Sequence, residues 1–156
     1  MLPPYICCII HCPSSTPSNP LLLLEHRPTM SRPEIEIPPV RLNCFGGKLE
    51  PTDSTPLSGL LRELNEELHW QPSTPPTRAV DLYVDNELIA YFYSSADDAS
   101  PATEFTFESE RDRHGEWMHL DDVLADERTS NWHRRVFEVW KRGGDRADYV
   151  TPTKNT

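Results

Sequence analysis

Three glutamates within five positions, Glu63, Glu66 and Glu67, are the residues of this chain best placed to do chemistry. On a helix, positions three and four apart are surface neighbours, so these carboxylates gather on one side. Like charges held that close cost helix stability, and a positive group among them offsets the cost. A divalent cation suits the role: magnesium takes carboxylate oxygens and keeps waters that a phosphate substrate can displace. Without an ion, the same cluster is a solvated helix face with no chemistry.

The elements that must position these glutamates are legible around them. Leu57, Leu60, Leu61, Leu64 and Leu68 recur at the three-and-four spacing of one buried stripe, which predicts an amphipathic helix. Thr55 is a helix cap and Pro56 fits the first helical position, where a missing N–H costs nothing. Just before, Gly46-Gly47 follows an extended run ending in Cys44-Phe45, and paired glycines let main-chain groups approach a ligand closely. The predicted unit is strand, glycine loop, helix, with carboxylates facing the loop.

This arrangement resembles the Nudix box, G-x5-E-x7-R-E-U-x-E-E-x-G-U with U aliphatic. Gly46-Gly47-Lys48-Leu49-Glu50 is similar to its opening, and Arg62-Glu63-Leu64-Asn65-Glu66-Glu67 matches its R-E-U-x-E-E core. The resemblance implies that Glu66 and Glu67 are the principal ligands of Mg2+ (or Mn2+). It makes Glu63 a further ligand or a proton acceptor, Arg62 the group orienting the carboxylates, and Gly47 a ligand through its carbonyl. Three positions depart from the pattern. One extra residue lies between Gly47 and Arg62, so Asp53 or Ser54 replaces the expected glutamate. His69 stands where the family has glycine, and Trp70 replaces the aliphatic residue after it.

A second match lies downstream, where Gly115-Glu116-Trp117-Met118 resembles the G-E-W-M run of MutT-type nucleoside triphosphate hydrolases. There a glutamate in the preceding loop helps bind metal or activate water; Glu110 is the nearest match, with Asp112 and Glu116 as rivals. The resemblance implies hydrolysis of a pyrophosphate bond in a nucleoside diphosphate linked to another moiety, with a nucleoside triphosphate, oxidised or not, as first choice. Markers of ADP-ribose and NADH hydrolases are missing, and no tyrosine clearly occupies the place used by dinucleotide polyphosphate hydrolases. A diphosphoinositol would need more basic contacts than this chain offers. The alternative of another class is a Nudix-fold module that binds a nucleotide or protein partner without turning it over. Arg27, Arg32, Lys48 and Tyr91 are candidate substrate contacts. For the two loop arginines the competing reading is a solvated surface, and for Tyr91, as for Tyr93 and Trp117, it is core.

Composition bounds the function classes. The formal net charge of −10 argues against a protein that grips a nucleic acid duplex by its backbone. A phosphate substrate would meet a repelling field, which bound metal reverses locally. Cys7, Cys8, Cys12 and Cys44 form no C-x-x-C pair, and three lie in the apolar run Tyr5–Cys12, so they read as small buried hydrophobes in a reducing, cytoplasmic compartment. The chain start lacks a basic n-region and its apolar run breaks at Pro13, which argues against a signal peptide, and no stretch reaches membrane-span length. Among the histidines, His11, His26, His69, His114, His119 and His133, no pair has the i, i+4 spacing of a helical zinc site.

Length predicts one domain over residues 1–145 with a loose tail at 146–156. Apolar runs predict strands at Tyr5–Cys12, Leu21–Glu25, Val40–Phe45, Ala79–Val84, Leu88–Ser94, Glu104–Phe107 and Gly115–His119. Asp85-Asn86-Glu87 joins two of them as a hairpin. The proline-rich segment His26–Pro39 reads as a loop, as do Gln71–Thr77, Ser95–Thr103 and Glu108–His114. Leu120–Leu124 begins a short helix, and Ser130–Arg142 carries Trp132, Val136, Phe137 and Trp140 at helical spacing. The order predicts an α/β (α+β) architecture, a mixed sheet between helices, which agrees with the Nudix fold.

Overall fold

A computed structural model of the chain describes residues 1–12, 16–28, 40–95, 103, 105–107 and 114–153. Among these residues eight strands and three helices are seen, in the order β1 (Tyr5–His11), β2 (Leu21–Pro28), β3 (Val40–Asn43), β4 (Phe45–Lys48), α1 (Pro56–Leu68), β5 (Thr77–Val84) and β6 (Glu87–Ser95). They continue with β7 (His114–His119), α2 (Leu120–Ala125), α3 (Asn131–Lys141) and β8 (Arg146–Tyr149). The strands form one mixed sheet in the order β3-β2-β1-β6-β5-β8, with β4 paired to β1 and β7 paired to β2.

Alternation along the strands sends side chains to two cores, one on each face of the sheet. On one face Ile6, Cys8 and Ile10 of β1 meet Leu60, Leu64 and Leu68 of α1, together with Phe45, Tyr91 and Tyr93. On the other, Ile9, Leu22, Leu24, Val80, Leu82 and Phe92 pack against Val123 of α2 and Val136, Phe137 and Val139 of α3. The three leucines of α1 are fully buried, and at roughly 2 kcal/mol each their burial anchors the helix far more strongly than its intrinsic propensity.

The predicted three-layer architecture is the one observed, with local corrections. Val40–Phe45 is not one strand: it breaks at Cys44, so that β3 joins β2 and β4 crosses to β1. The glycine pair lies inside β4, and the loop proper is residues 49–55. His26–Pro28, read as loop, extends β2 through pairing of His26 with both Leu42 and His114. Phe105–Phe107 is not a strand, though the amide of Thr106 donates to the Leu68 carbonyl and both phenylalanines pack beside α1. Residues 146–149, expected in a loose tail, form β8 against β5, with Ala147 buried. Four residues whose packed side chains are Ala147 and Tyr149 give too short a pattern for periodicity to detect.

β1 prepares the site through a change of partner. One of its edges follows β6 from Tyr5 to Ile10, whereas on the other Tyr5–Cys8 pair with β4 and Ile10–His11 pair with β2. Cys7, Glu25, Asn43, Cys44 and Gly46, which surround that change, all line one cleft of about 930 Å³.

Candidate active site

The loop before α1 ends in a reciprocal cap. The Thr55 hydroxyl accepts the amide of Ser58 at 3.1 Å and the Ser58 hydroxyl accepts the amide of Thr55 at 3.0 Å, with Pro56 at the helix start. Serine here does what glutamate does in the usual capping box. At the other end His69 adopts left-handed backbone, φ 48° and ψ 43°, and its amide donates to Asn65. The helix therefore stops through a conformation that normally favours glycine, which is why a histidine at the glycine position of the box leaves its exit intact. Trp70 replaces an aliphatic residue as a core side chain, edge-on to Phe105.

Between these caps, α1 presents Glu63, Glu66 and Glu67 to the cleft. Glu67 is nearly fully buried and accepts the amide of Gly46 at 3.1 Å. The Glu63 carboxylate lies against Gly47, so close that a Cβ there would stand 2.6 Å from its oxygen. Gly46 has φ 150°, and a side chain on it would run into the Ile6 carbonyl of β1. Both glycines are thus required, one for backbone packing and one to admit a carboxylate.

Arg62 organises the acidic groups. Its guanidinium holds Asp53 through two hydrogen bonds, Nε to Oδ1 at 2.9 Å and Nη2 to Oδ2 at 3.0 Å. Nη1 donates to Glu63 at 3.0 Å and to Glu66 at 3.4 Å, and Nη2 reaches the Lys48 carbonyl at 3.3 Å. Glu50 lies 3.6 Å away. Of Asp53 and Ser54, Asp53 is the one that meets Arg62, whereas the Ser54 hydroxyl lies 3.2 Å from that of Ser58 in the helix cap. The Arg62 hydrogen bonds hold the Asp53 carboxyl below the usual range, and the Asp53 hydrogen bond in turn keeps Arg62 firmly protonated. Burial pushes the Glu63 carboxyl up, against the pull of Arg62.

Donor chemistry fits a hard dication, since three carboxylates and a glycine backbone share one wall of the cleft. Among the described residues, however, no three His, Cys, Asp or Glu side chains stand close enough together to enclose an ion. The Glu66 side chain is still half exposed, while Arg62 spans Glu63 and Glu66.

The remaining expectations separate clearly. Lys48 lines the cleft. Tyr91 does not: it is buried in the core beside α1, with the guanidinium of Arg78 3.8 Å from its ring centre, so the substrate contact expected of it is withdrawn in favour of the core reading. Glu116 sits on β7 in contact with His26 at 2.6 Å and is absent from the cleft wall. Glu110, Asp112 and Arg32 lie outside the described residues, as does the side chain of Arg27.

Sequence reasoning missed several cleft residues. Glu25 is a buried carboxylate of β2 on the cleft wall, and its charge, with those of Glu67 and Glu63, adds to the burial that pushes the Cys7 thiol up. Its signal was a charge ending the run Leu21–Leu24 in a strand covered on both faces. Arg41, Arg128, Trp132 and His133 also line the cleft, contributed by segments with no chemical pattern of their own.

The four cysteines are free, and no helix among the described residues is long and apolar enough to cross a membrane. No match is found among curated proteins. Solved structures do match. A MutT protein from Methanosarcina mazei Go1 superposes with a TM-score of 0.65 at 20% identity, covering 91% of this chain and 96% of that one. A mutator MutT protein from Bacillus halodurans gives 0.64 at 16% identity, covering 96% and 90%. The E. coli ORF135 protein gives 0.59 at 19% identity, covering 88% and 87%. At these identities the likeness establishes the fold alone. The family model for the NUDIX domain matches residues 1–140, from before β1 to the last turn of α3, and the chain therefore belongs to the NUDIX domain family.

Proposed function

We propose that this protein is a magnesium-dependent Nudix hydrolase that cleaves a pyrophosphate bond in a nucleoside diphosphate linked to another moiety, with a nucleoside triphosphate as substrate. One observation carries the reading: the glutamates of the R-E-L-N-E-E run face a cleft large enough for a nucleotide, with Glu63 and Glu66 held there by Arg62 and Glu67 by the Gly46 amide.

Glu66 and Glu67, with the Gly47 backbone, are the groups that would hold Mg2+ or Mn2+. Bound there, the ion supplies charge neutralisation on phosphate oxygens and a more acidic water. The chain's own part begins with Arg62, which fixes the carboxylate wall through Asp53. Glu67 is held in the wall by the Gly46 amide, leaving Glu66 as the more adjustable partner. Glu63, whose carboxyl is pushed up by burial, is suited to accept a proton from attacking water, with Glu110 as the rival for that role. Lys48, at the cleft wall, adds positive charge for phosphate in an otherwise acidic protein. Free thiols agree with a reducing, cytoplasmic setting.

The test is hydrolysis of a nucleotide panel with magnesium, read by chromatography of products. Glu66→Gln and Glu67→Gln should each lower turnover by at least a hundredfold while the circular dichroism spectrum is unchanged, because phosphoryl transfer depends on positioning and charge. Full activity in either variant would discard the assignment.

A further inference from the structure

One cation on the cleft wall has no counter-charge. The chain carries 25 acidic residues against 15 lysines and arginines, so a carboxylate partner is in easy supply, and Arg62 and Arg128 are committed to theirs. Arg62 holds Asp53, Glu63 and Glu66. Arg128 gives Nε and Nη2 to Asp126 at 3.0 and 2.8 Å, and its Nη1 lies 2.9 Å from His26. Arg41 lines the same cleft and is partly buried, yet among the described residues its guanidinium has neither an ion pair nor a side-chain hydrogen bond. A guanidinium keeps its proton in a protein, and drawing it from water without a partner costs free energy that an anionic ligand offsets.

Strand geometry sets where that charge is offered. Successive side chains of β3 alternate: Leu42 is fully buried in the core against α3, whereas Arg41 and Asn43 flank it on the other side and both line the cleft. Asn43 is likewise partly buried, with no side-chain hydrogen bond among the described residues. The Leu42 amide donates to the Arg128 carbonyl at 3.0 Å and Leu42 bridges to Thr129, which ties β3 to the segment that opens α3. The Arg41 charge accordingly reaches His133 in the first turn of that helix. Glu63, Glu66 and Glu67 project instead from α1, which packs on the opposite face of the sheet from α3. An ion held by those glutamates answers their charge and leaves that of Arg41 for another group.

We propose that Arg41 is a specificity residue: it holds a phosphoryl group of the substrate other than the diphosphate at the glutamates, so the preferred substrate carries at least one phosphoryl group beyond that diphosphate. Its planar fork meets two phosphate oxygens at once, and the Asn43 amide adds a donor on the same face of β3. This rests on the nucleotide hydrolase reading given above. It adds a substrate class: a triphosphate, or a diphosphate phosphorylated on its ribose, in preference to a plain diphosphate.

Calorimetry in the presence of magnesium tests it with ligands that hold no hydrolysable anhydride. The methylene-bridged analogue of ADP is compared with the doubly methylene-bridged analogue of ATP, and AMP with adenosine 2′,5′- and 3′,5′-bisphosphates. In at least one comparison the added phosphoryl group should tighten binding about tenfold, and Arg41→Gln should remove that gain. The comparison that responds tells a phosphate chain from a ribose phosphate. Arg142→Gln, an equal change of net charge at an exposed residue just after α3, should keep the gain. No gain from any added phosphoryl group, a gain that survives Arg41→Gln, or an equal loss in Arg142→Gln overturns the proposal. Should Arg41→Gln not fold, Arg41→Lys takes its place: a point charge without the fork should narrow the gain, and an unchanged gain overturns the proposal. Hydrolysis of the nucleotide panel with magnesium is measured in parallel. Hydrolysis without the gain sinks only the Arg41 assignment, whereas the gain without hydrolysis sinks only the enzyme reading.

Discussion

Asp53 and Arg62 meet through two parallel hydrogen bonds of 2.9 and 3.0 Å, and Asp53 also accepts the amide of Glu50 at 2.8 Å. A carboxylate one methylene shorter than glutamate thus reaches the arginine because the loop carrying it is tied to its own backbone. Bidentate pairs of this kind fix orientation as well as charge.

Removing that charge should release Arg62. Asp53→Asn should lower kcat by about tenfold, on the order of 1.4 kcal/mol, with the protein folded. Arg62→Lys should be more severe, because a point charge cannot contact Asp53, Glu63, Glu66 and the Lys48 carbonyl together. Steady-state kinetics across a magnesium series would check both; an Arg62→Lys protein with normal kinetics would contradict the clamp.

The two adjacent glycines should fail in different ways. Alanine at Gly46 meets the backbone of β1, which cannot move without breaking the strand, so stability should fall by about 3 kcal/mol in denaturant titration. The nearest atoms to alanine at Gly47 are those at the end of the Glu63 side chain, which can swing away. That variant should lose less than about 1 kcal/mol yet bind magnesium more weakly by calorimetry.

His69 offers a gain. Left-handed backbone costs a residue with a Cβ, and His69→Gly should relieve it without touching the core. Thermal unfolding should shift upward, corresponding to about 0.5–1 kcal/mol, and a fall in melting temperature would show that the histidine ring contributes contacts of its own.

Stability should also depend on pH in a defined window. The folded pKa of His133 is held down to about 4 from an ordinary 6.5, and that of His11 is lowered too, in both cases by burial. Below pH 6.5 the unfolded chain gains protons that the folded one refuses, so stability falls as pH drops from about 6.5 toward 4. From His133 the loss is at most about 3 kcal/mol. Glu63 opposes it in part, because a carboxyl raised by burial favours the fold as pH falls through its folded value. In His133→Phe, urea titrations between pH 7 and 4.5 should show a shallower decline; an equal decline would refute the assignment.

How much of this could be read from the chain varies with distance along it. The acidic helix, its leucine stripe, Thr55 and Pro56, the glycine pair and the mixed-sheet order were all visible, because each is a local pattern whose spacing matches one element's geometry. The break at Cys44 was not, since only the presence of β1 and β2 as separate partners tells β3 from β4. Tyr91 shows the same limit: an aromatic in an apolar strand faces substrate or core according to which helix covers it, and α1 covers it.

By itself the sequence determined which carboxylates stand together, because neighbours on a helix are fixed by a period of 3.6 residues. Only the tertiary structure decided what else lines their cleft. Glu25, Arg41, Arg128 and His133 come from four separate segments, and their meeting depends on strand pairing and helix docking that no local spacing encodes.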